Sequence, residues 1–143
     1  MSIIISSSYK ETIAQGKKIA DKLKNGDIIL LSGELGAGKT MFVKGIALGL
    51  GIKNEITSPT FTLMNIYEVK NPKLKIRQLV HIDTYRLENE NDLIEIGVED
   101  YLGNKNNVCV IEWPDKIIGL LVEKKTISIN IEFIGENKRM LNF

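Results

Sequence analysis

The amino-acid sequence predicts one α/β domain, built in three layers around a mixed sheet. Apolar runs of strand length alternate with segments of helical periodicity, which is typical of parallel strands joined by crossover helices. Two connections, at 70–73 and 135–137, are too short to hold a crossover helix and therefore predict antiparallel pairs. We expect the parallel strands near Ile28, Val80 and Val110 at the centre of the sheet, with antiparallel strands at its edges.

The first predicted elements are a short strand and an amphipathic helix. Residues 3–5 indicate a short buried or edge strand. Ser8, with Glu11 three residues later, fits a capping box at the start of a helix. Apolar and small residues then recur at helical spacing, and we expect the helix to end at 25–26, where Asn is followed by Gly.

A second strand, 27–31, leads into a complete phosphate-binding loop of the pattern G-x-x-x-x-G-K-[ST]. The segment that follows, 39–50, is apolar nearly all round and predicts a largely buried helix. The glycines allow successive main-chain N–H groups to face an anion, and the helix N-terminus adds a partial positive charge. The loop residues expected to bind a nucleotide are Gly33, Glu34, Leu35, Gly36, Ala37, Gly38, Lys39 and Thr40.

Lys39 and Thr40 carry the predicted chemistry of this loop. The lysine ammonium can reach the β- and γ-phosphates, and the threonine hydroxyl can ligate Mg²⁺. The alternative is a glycine-rich turn that caps an ordinary helix. The strand before the loop and the helix after it favour the binding of a nucleoside triphosphate.

The rest of the chain is predicted to complete the sheet. The two strands on either side of 70–73 should pair antiparallel, and a short helix at 89–96 should stop at Gly97. The continuous apolar run 108–111 indicates a buried parallel strand. A strictly alternating strand at 126–133, followed by a last strand at 139–143, places one set of side chains on a common face: Ile127, Ile129, Ile131 and Phe133.

Two acidic residues stand directly after predicted strands. Asp83 follows 79–82, and Glu112 follows 108–111. In a parallel sheet both emerge at the carboxyl edge, where ligands bind and where the phosphate loop also lies. One carboxylate could hold the metal through its water shell while the other orients an attacking water. We take Asp83, Glu112 and Lys39 as candidate catalytic residues, although either acid could instead cap the helix that follows it.

Three weaker signals lie near these positions. The hydroxyl-rich loop 57–60 suits a segment that senses the γ-phosphate through Thr60, or else a plain turn. His81 lies within an apolar strand, which favours a core residue over a catalytic base. A lone Trp more often packs in the core than contacts a nucleotide. Trp113, however, follows Glu112 directly, and we take it with Thr60 as a candidate nucleotide contact.

Composition limits the class of protein. Residues 1–143 carry 19 Lys and Arg against 18 Asp and Glu, and this near-zero net charge gives no sign of independent nucleic-acid binding. Cys109 is the only cysteine, which excludes an intramolecular disulfide, and its apolar surroundings favour a core position. We expect a cytoplasmic protein, because neither a signal peptide nor a membrane-spanning apolar segment is visible.

Four segments taken together resemble one family. They are the phosphate loop, the run S-P-T-F-T-L at 58–63, the run H-I-D-T-Y-R-L at 81–87 and the run I-E-W-P at 111–114. Over about residues 8–139, their order and spacing resemble TsaE, formerly YjeE, a family of small ATPases in bacterial tRNA threonylcarbamoyladenosine biosynthesis. Many families share the phosphate loop, whereas the other three segments are specific.

The resemblance implies a P-loop NTPase-like fold and hydrolysis of ATP with Mg²⁺. It places Mg²⁺ on Thr40 and Glu112 and gives Asp83 an essential role in hydrolysis. It also implies that hydrolysis activates or resets a complex of TsaB and TsaD, through which the protein meets tRNA indirectly. The chain departs from longer relatives by ending at Phe143, and its match at Arg139 is loose.

Two other functions remain open on the sequence alone. A small-molecule kinase would share the loop, but Arg77, Arg86 and Arg139 are too scattered to indicate the arginine-rich lid of such enzymes. A nucleotide switch with little turnover is the other alternative. The absence of an N-K-x-D motif speaks against a switch specific for guanine nucleotides.

Overall fold

The computed structural model describes residues 2–59 and 61–143. Within these ranges no helix has the length and apolar character needed to cross a membrane. The strands are β1 Ile3–Ser6, β2 Ile28–Ser32, β3 Met64–Glu68, β4 Gln78–Asp83, β5 Asn107–Glu112, β6 Thr126–Gly135 and β7 Lys138–Asn142. The helices are α1 Tyr9–Ala20, α2 Lys39–Gly49, α3 Asn91–Glu95 and α4 Ile118–Leu121, with short 3₁₀ turns at Val98–Asp100 and Pro114–Ile117.

All seven strands form one mixed sheet in the order β1-β7-β6-β2-β5-β4-β3. Strands β6, β2, β5 and β4 run parallel to their neighbours within that group. Strands β3, β7 and β1 are added antiparallel. The prediction of parallel central strands with antiparallel edges is therefore confirmed, and β6 proves to be a fourth parallel strand.

Each face of the sheet is covered by helical segments. The first core cluster joins α2 to one face of the central strands through residues such as Phe42, Ile46 and Leu31, all fully buried. The second cluster lies on the opposite face, where Leu93 of α3 and Ile117 pack with the alternate strand residues. Strand β5 is buried along its whole length, as its continuous apolar run predicts.

Helices α1 and α2 pack closely at glycine positions. A Cβ atom on Gly16 would lie 2.3 Å from the carbonyl oxygen of Phe42, and one on Gly45 would lie 2.1 Å from that of Ile13. Both distances are far inside van der Waals contact. The main chains of α1 and α2 can therefore meet only because these positions lack side chains, and this contact holds α1 beside the phosphate loop.

The local signals at the start of α1 are confirmed, and several predicted bounds are corrected. The Ser8 hydroxyl accepts the Glu11 N–H at 3.2 Å as an N-cap does, whereas the Glu11 carboxylate accepts the N–H of Ser7, one residue before the N-cap, at 2.6 Å. However, α1 ends at Ala20 rather than at 25–26, and α3 spans only Asn91–Glu95.

The prediction for β6 is only partly correct. Ile129 and Ile131 are buried, but Phe133 is 57% exposed. A register irregularity between Phe133 and Gly135 interrupts the alternation at the end of β6. Phe133 itself is still in regular register with Arg139, but β2 pairs with β6 only as far as Asn130, so Phe133 lies beyond the end of β2 and is exposed there.

Candidate active site

The phosphate loop connects β2 to α2 at the carboxyl edge of the sheet. Gly33 has φ 149°, and a Cβ atom there would lie 2.4 Å from the carbonyl oxygen of Ile131 in β6. Gly38, the N-cap of α2, has φ 98°. Both positions need glycine, since other residues rarely adopt such angles. The loop thus reaches the N-terminus of α2, where main-chain N–H groups lack partners within the helix.

Lys39 is held at the bottom of the loop. Its side chain is 6% exposed, and its Nζ atom donates a hydrogen bond to the carbonyl oxygen of Gly33. The same atom lies 3.6 Å from the centroid of the Trp113 ring, within cation–π distance. Burial lowers the pKa of Lys39 below its ordinary value of 10.5, and the negative charges of Glu112 and Asp83 oppose that shift.

The two predicted acids lie side by side. Asp83 and Glu112 end β4 and β5 and are register partners in this parallel pair, so both side chains point to the same face. They are 4% and 3% exposed. Asp83 accepts the N–H of Tyr85 at 2.9 Å and the hydroxyl of Ser58 at 3.2 Å. Asp83 therefore both closes the turn after β4 and contacts the loop segment that contains Ser58.

Glu112 is bonded to a residue that the sequence did not place in the site. The Nε2 atom of His81 lies 2.6 Å from Oε2 of Glu112, and the His81 side chain is fully buried. Its Nδ1 atom has no hydrogen-bond partner among residues 2–59 and 61–143. Because a buried N–H without an acceptor is costly, and a carboxylate oxygen accepts, Nε2 is the ring nitrogen that donates its N–H to Glu112.

The prediction that His81 is a core residue is correct for its burial but omits this contact. The sequence could have indicated this contact, because His81 stands two residues before Asp83 and alternate residues of a strand share one face.

Several of the predicted residues line a common cavity, although Asp83 and Gly33 are not part of its lining. This cavity has a volume of about 270 Å³ and contains Thr40, Ser58, Glu112 and Trp113 together with loop residues. Leu35 and Gly36 are exposed at its rim, whereas Glu34 is exposed beside a neighbouring hollow and Ala37 is buried. Thr60 lies outside the described residues. A larger hollow of about 660 Å³ lies near the opposite ends of β4 and β5, beside Gln78 and Asn106, away from these groups.

The donor set suits a magnesium ion that is shared with a phosphate ligand. The Thr40 hydroxyl and the Glu112 carboxylate are hard oxygen donors on one cavity. Within the described ranges, no group of three or more His, Cys, Asp or Glu side chains could hold a metal ion. Such a site suits Mg²⁺, which usually keeps several waters and takes further oxygens from substrate phosphates.

Arg139 of β7 also contacts the loop. Its Nε atom donates to the carbonyl oxygen of Ala37 at 2.9 Å, and the side chain is 6% exposed. The two residues are 102 positions apart, so no local pattern reveals the contact. The guanidinium thus fixes the outer side of the phosphate loop to β7.

Fold and site define an α/β protein with a glycine-rich loop of the phosphate-binding sequence pattern beside two buried carboxylates. The chain belongs to the TsaE family. Residues 6–141 match the family described as threonylcarbamoyl adenosine biosynthesis protein TsaE. This finding confirms the family that the four sequence segments indicated.

Individual relatives and a solved structure agree with this assignment. The chain is 39% identical to TsaE of Treponema pallidum over 94% of each chain. It is 37% identical to TsaE of Bacillus subtilis, over 94% of this chain and 79% of that one. The crystal structure of Bacillus subtilis YdiB superposes with a TM-score of 0.78 at 31% identity, covering 98% of this chain and 82% of that one.

Proposed function

We propose that this chain is a Mg²⁺-dependent ATPase with a P-loop NTPase-like fold, acting in tRNA threonylcarbamoyladenosine biosynthesis. The observation that carries the proposal is the single cavity that joins Lys39 and Thr40 of the phosphate loop to Glu112. Asp83 lies beside Glu112 at the end of the next strand. A loop for phosphates, an ammonium, a hydroxyl and two carboxylates are the groups that phosphoryl transfer to water requires.

Each residue has a distinct role in this proposal. Lys39 leaves the Gly33 carbonyl and contacts the β- and γ-phosphate oxygens, where it offsets their negative charge. Thr40 and Glu112 hold Mg²⁺, which supplies further positive charge to the phosphate oxygens. Asp83 orients the attacking water or links that water to Ser58. The Ser58 hydroxyl already donates a hydrogen bond to the Asp83 carboxylate. Trp113 covers the phosphate end of the cavity.

Residues 57–60 are proposed to respond to the γ-phosphate. Within 57–59, two residues contact strands of the sheet. The Ser58 hydroxyl donates to Asp83 of β4 at 3.2 Å, and the Thr57 N–H donates to the Tyr67 hydroxyl of β3 at 3.3 Å. A phosphate that competes for Asp83 or Ser58 would change these bonds and so shift the conformation of the segment. Nucleotide state could then alter the affinity for a partner.

The proposed partners are TsaB and TsaD, with tRNA met indirectly through their complex in the cytoplasm. The names of the matched relatives support the modification pathway. The net charge of +1 supports a protein partner rather than direct capture of tRNA.

An ATP hydrolysis assay tests the function. The chain is measured alone, with TsaB and TsaD, and with candidate phosphate acceptors, and Lys39→Ala serves as the inactive control. We expect slow release of inorganic phosphate that rises when the partners are added. Transfer of phosphate to a small acceptor would indicate the kinase, and tight ATP binding without turnover in any mixture would indicate the switch.

A further inference from the structure

The groups around the phosphate loop are divided between its two sides. In the strand order, β5 and β4 lie on one side of β2 and carry Glu112 and Asp83. On the other side lie β6, β7 and β1. Arg139 belongs to β7, and Tyr9 begins α1 just after β1. Because neighbouring strands are about 4.8 Å apart, β7 and β5 are separated by roughly 14 Å across the sheet.

Tyr9 is an aromatic side chain held at the edge of the nucleotide cavity. It lines the same cavity as Gly38, Thr40 and Met41, and its side chain is 59% exposed. The guanidinium carbon of Arg139 lies 5.7 Å from the centroid of the Tyr9 ring, within cation–π distance. Since Arg139 is itself bonded to the carbonyl oxygen of Ala37, the Tyr9 ring is supported on the phosphate loop.

The proposed metal ligands fix the direction in which a nucleotide would lie. Thr40 and Glu112 would hold Mg²⁺, which would supply positive charge to the terminal phosphates, so these two residues mark the γ-phosphate end of the cavity. Trp113 belongs to that end, because its ring covers the Lys39 ammonium. The nucleoside must therefore extend to the other side of the loop, toward Tyr9.

We propose that Tyr9 is a stacking platform for the nucleobase, an inference that rests on the nucleotide binding proposed above. One face of the phenol ring receives the base while Arg139 supports the ring from the loop. Stacking uses the π-face that every base has, so Tyr9 strengthens the binding of purine nucleotides without selecting adenine. Trp113, the aromatic candidate from the sequence, instead contacts the phosphate end.

The test compares two ligands that differ by the nucleoside. The full chain, Tyr9→Ala and Tyr9→Phe are titrated calorimetrically in Mg²⁺ with β,γ-imido-ATP and with tripolyphosphate. We expect Tyr9→Ala to weaken the nucleotide about 5- to 150-fold and to change tripolyphosphate by less than about twofold. Tyr9→Phe should bind both ligands like the wild type, because stacking needs the ring and not the hydroxyl.

A second variant separates stacking from an indirect effect through Arg139. Phe133 lies 4.6 Å from the Arg139 guanidinium carbon, so Phe133→Ala removes a support of Arg139 but leaves the Tyr9 ring in place. We expect no nucleotide-specific loss in Phe133→Ala. The inference is wrong if Tyr9→Ala weakens both ligands equally, weakens neither, or behaves like Phe133→Ala. A wild-type chain that binds neither ligand would overturn the proposed function and this inference with it.

Discussion

Replacing His81 by Leu tests whether its bond to Glu112 prepares the metal site. His81 is fully buried, and its Nε2 contact at 2.6 Å is its bond to the Glu112 carboxylate. The Nδ1 atom has no hydrogen-bond partner within residues 2–59 and 61–143. The substitution to Leu therefore removes that one hydrogen bond while keeping an apolar side chain of similar size in β4.

The expected cost follows from the burial of Glu112, which is 3% exposed. A hydrogen bond to a charged group contributes about 1.5–3 kcal/mol, and a buried charge that loses its partner can cost about 3–5 kcal/mol. We expect His81→Leu to lower the free energy of unfolding by about 2–4 kcal/mol. An unrestrained Glu112 must also be ordered when Mg²⁺ binds, so the gain in nucleotide affinity produced by Mg²⁺ should fall by about tenfold or more.

Two measurements on the same variants check this. Urea unfolding reports stability, and nucleotide titration in Mg²⁺ and in EDTA separates the metal-dependent affinity from the rest. His81→Gln is the matched control, because its amide N–H can still donate to Glu112. If His81→Leu unfolds at the wild-type urea concentration and keeps the full gain from Mg²⁺, the bond does not prepare Glu112 for the metal.

The remaining predictions concern the loop, the acids and the core. Lys39→Ala should weaken ATP by about ten- to a hundredfold in calorimetry, since it removes a charged contact to phosphate; unchanged affinity would contradict the site. Glu112→Gln should lose the Mg²⁺-dependent part of binding, whereas Asp83→Asn should lose hydrolysis more than binding; equal loss of Mg·ATP affinity in both would show that their roles are wrongly divided. Gly45→Ala should lower the free energy of unfolding by about 1–3 kcal/mol in urea, because its Cβ would lie 2.1 Å from a carbonyl oxygen of α1; wild-type stability would mean that the two helices separate without cost. Burial raises the pKa of the Cys109 thiol from 9.0 to about 12. At a pH between these two pKa values, the Cys109 thiol is deprotonated in the unfolded chain but protonated in the folded chain. The free energy of unfolding therefore falls with rising pH, by up to about 1.4 kcal/mol per pH unit. Urea unfolding at several pH values should show a smaller slope for Cys109→Val, and an unchanged slope would contradict this cause.

Elements whose signals lie within a few residues were predicted well. The N-cap at Ser8, the buried run of β5 and the short connections each depend on local geometry, and each is observed. The errors arose where packing overrides a pattern. Phe133 continues the alternation of β6 in the sequence, but it lies beyond the last residue of β6 that pairs with β2 and is therefore outside the core.

The sequence by itself determined the phosphate loop, because its residues are consecutive and the strand and helix around them are locally coded. It also indicated Asp83 and Glu112, since parallel strands bring their carboxyl ends to one edge. The tertiary structure alone decided the bond from His81 to Glu112 across 31 positions and the bond from Arg139 to Ala37 across 102. Both depend on which strands become neighbours in the sheet. That order is set by the burial of all the elements together, and no single segment encodes it.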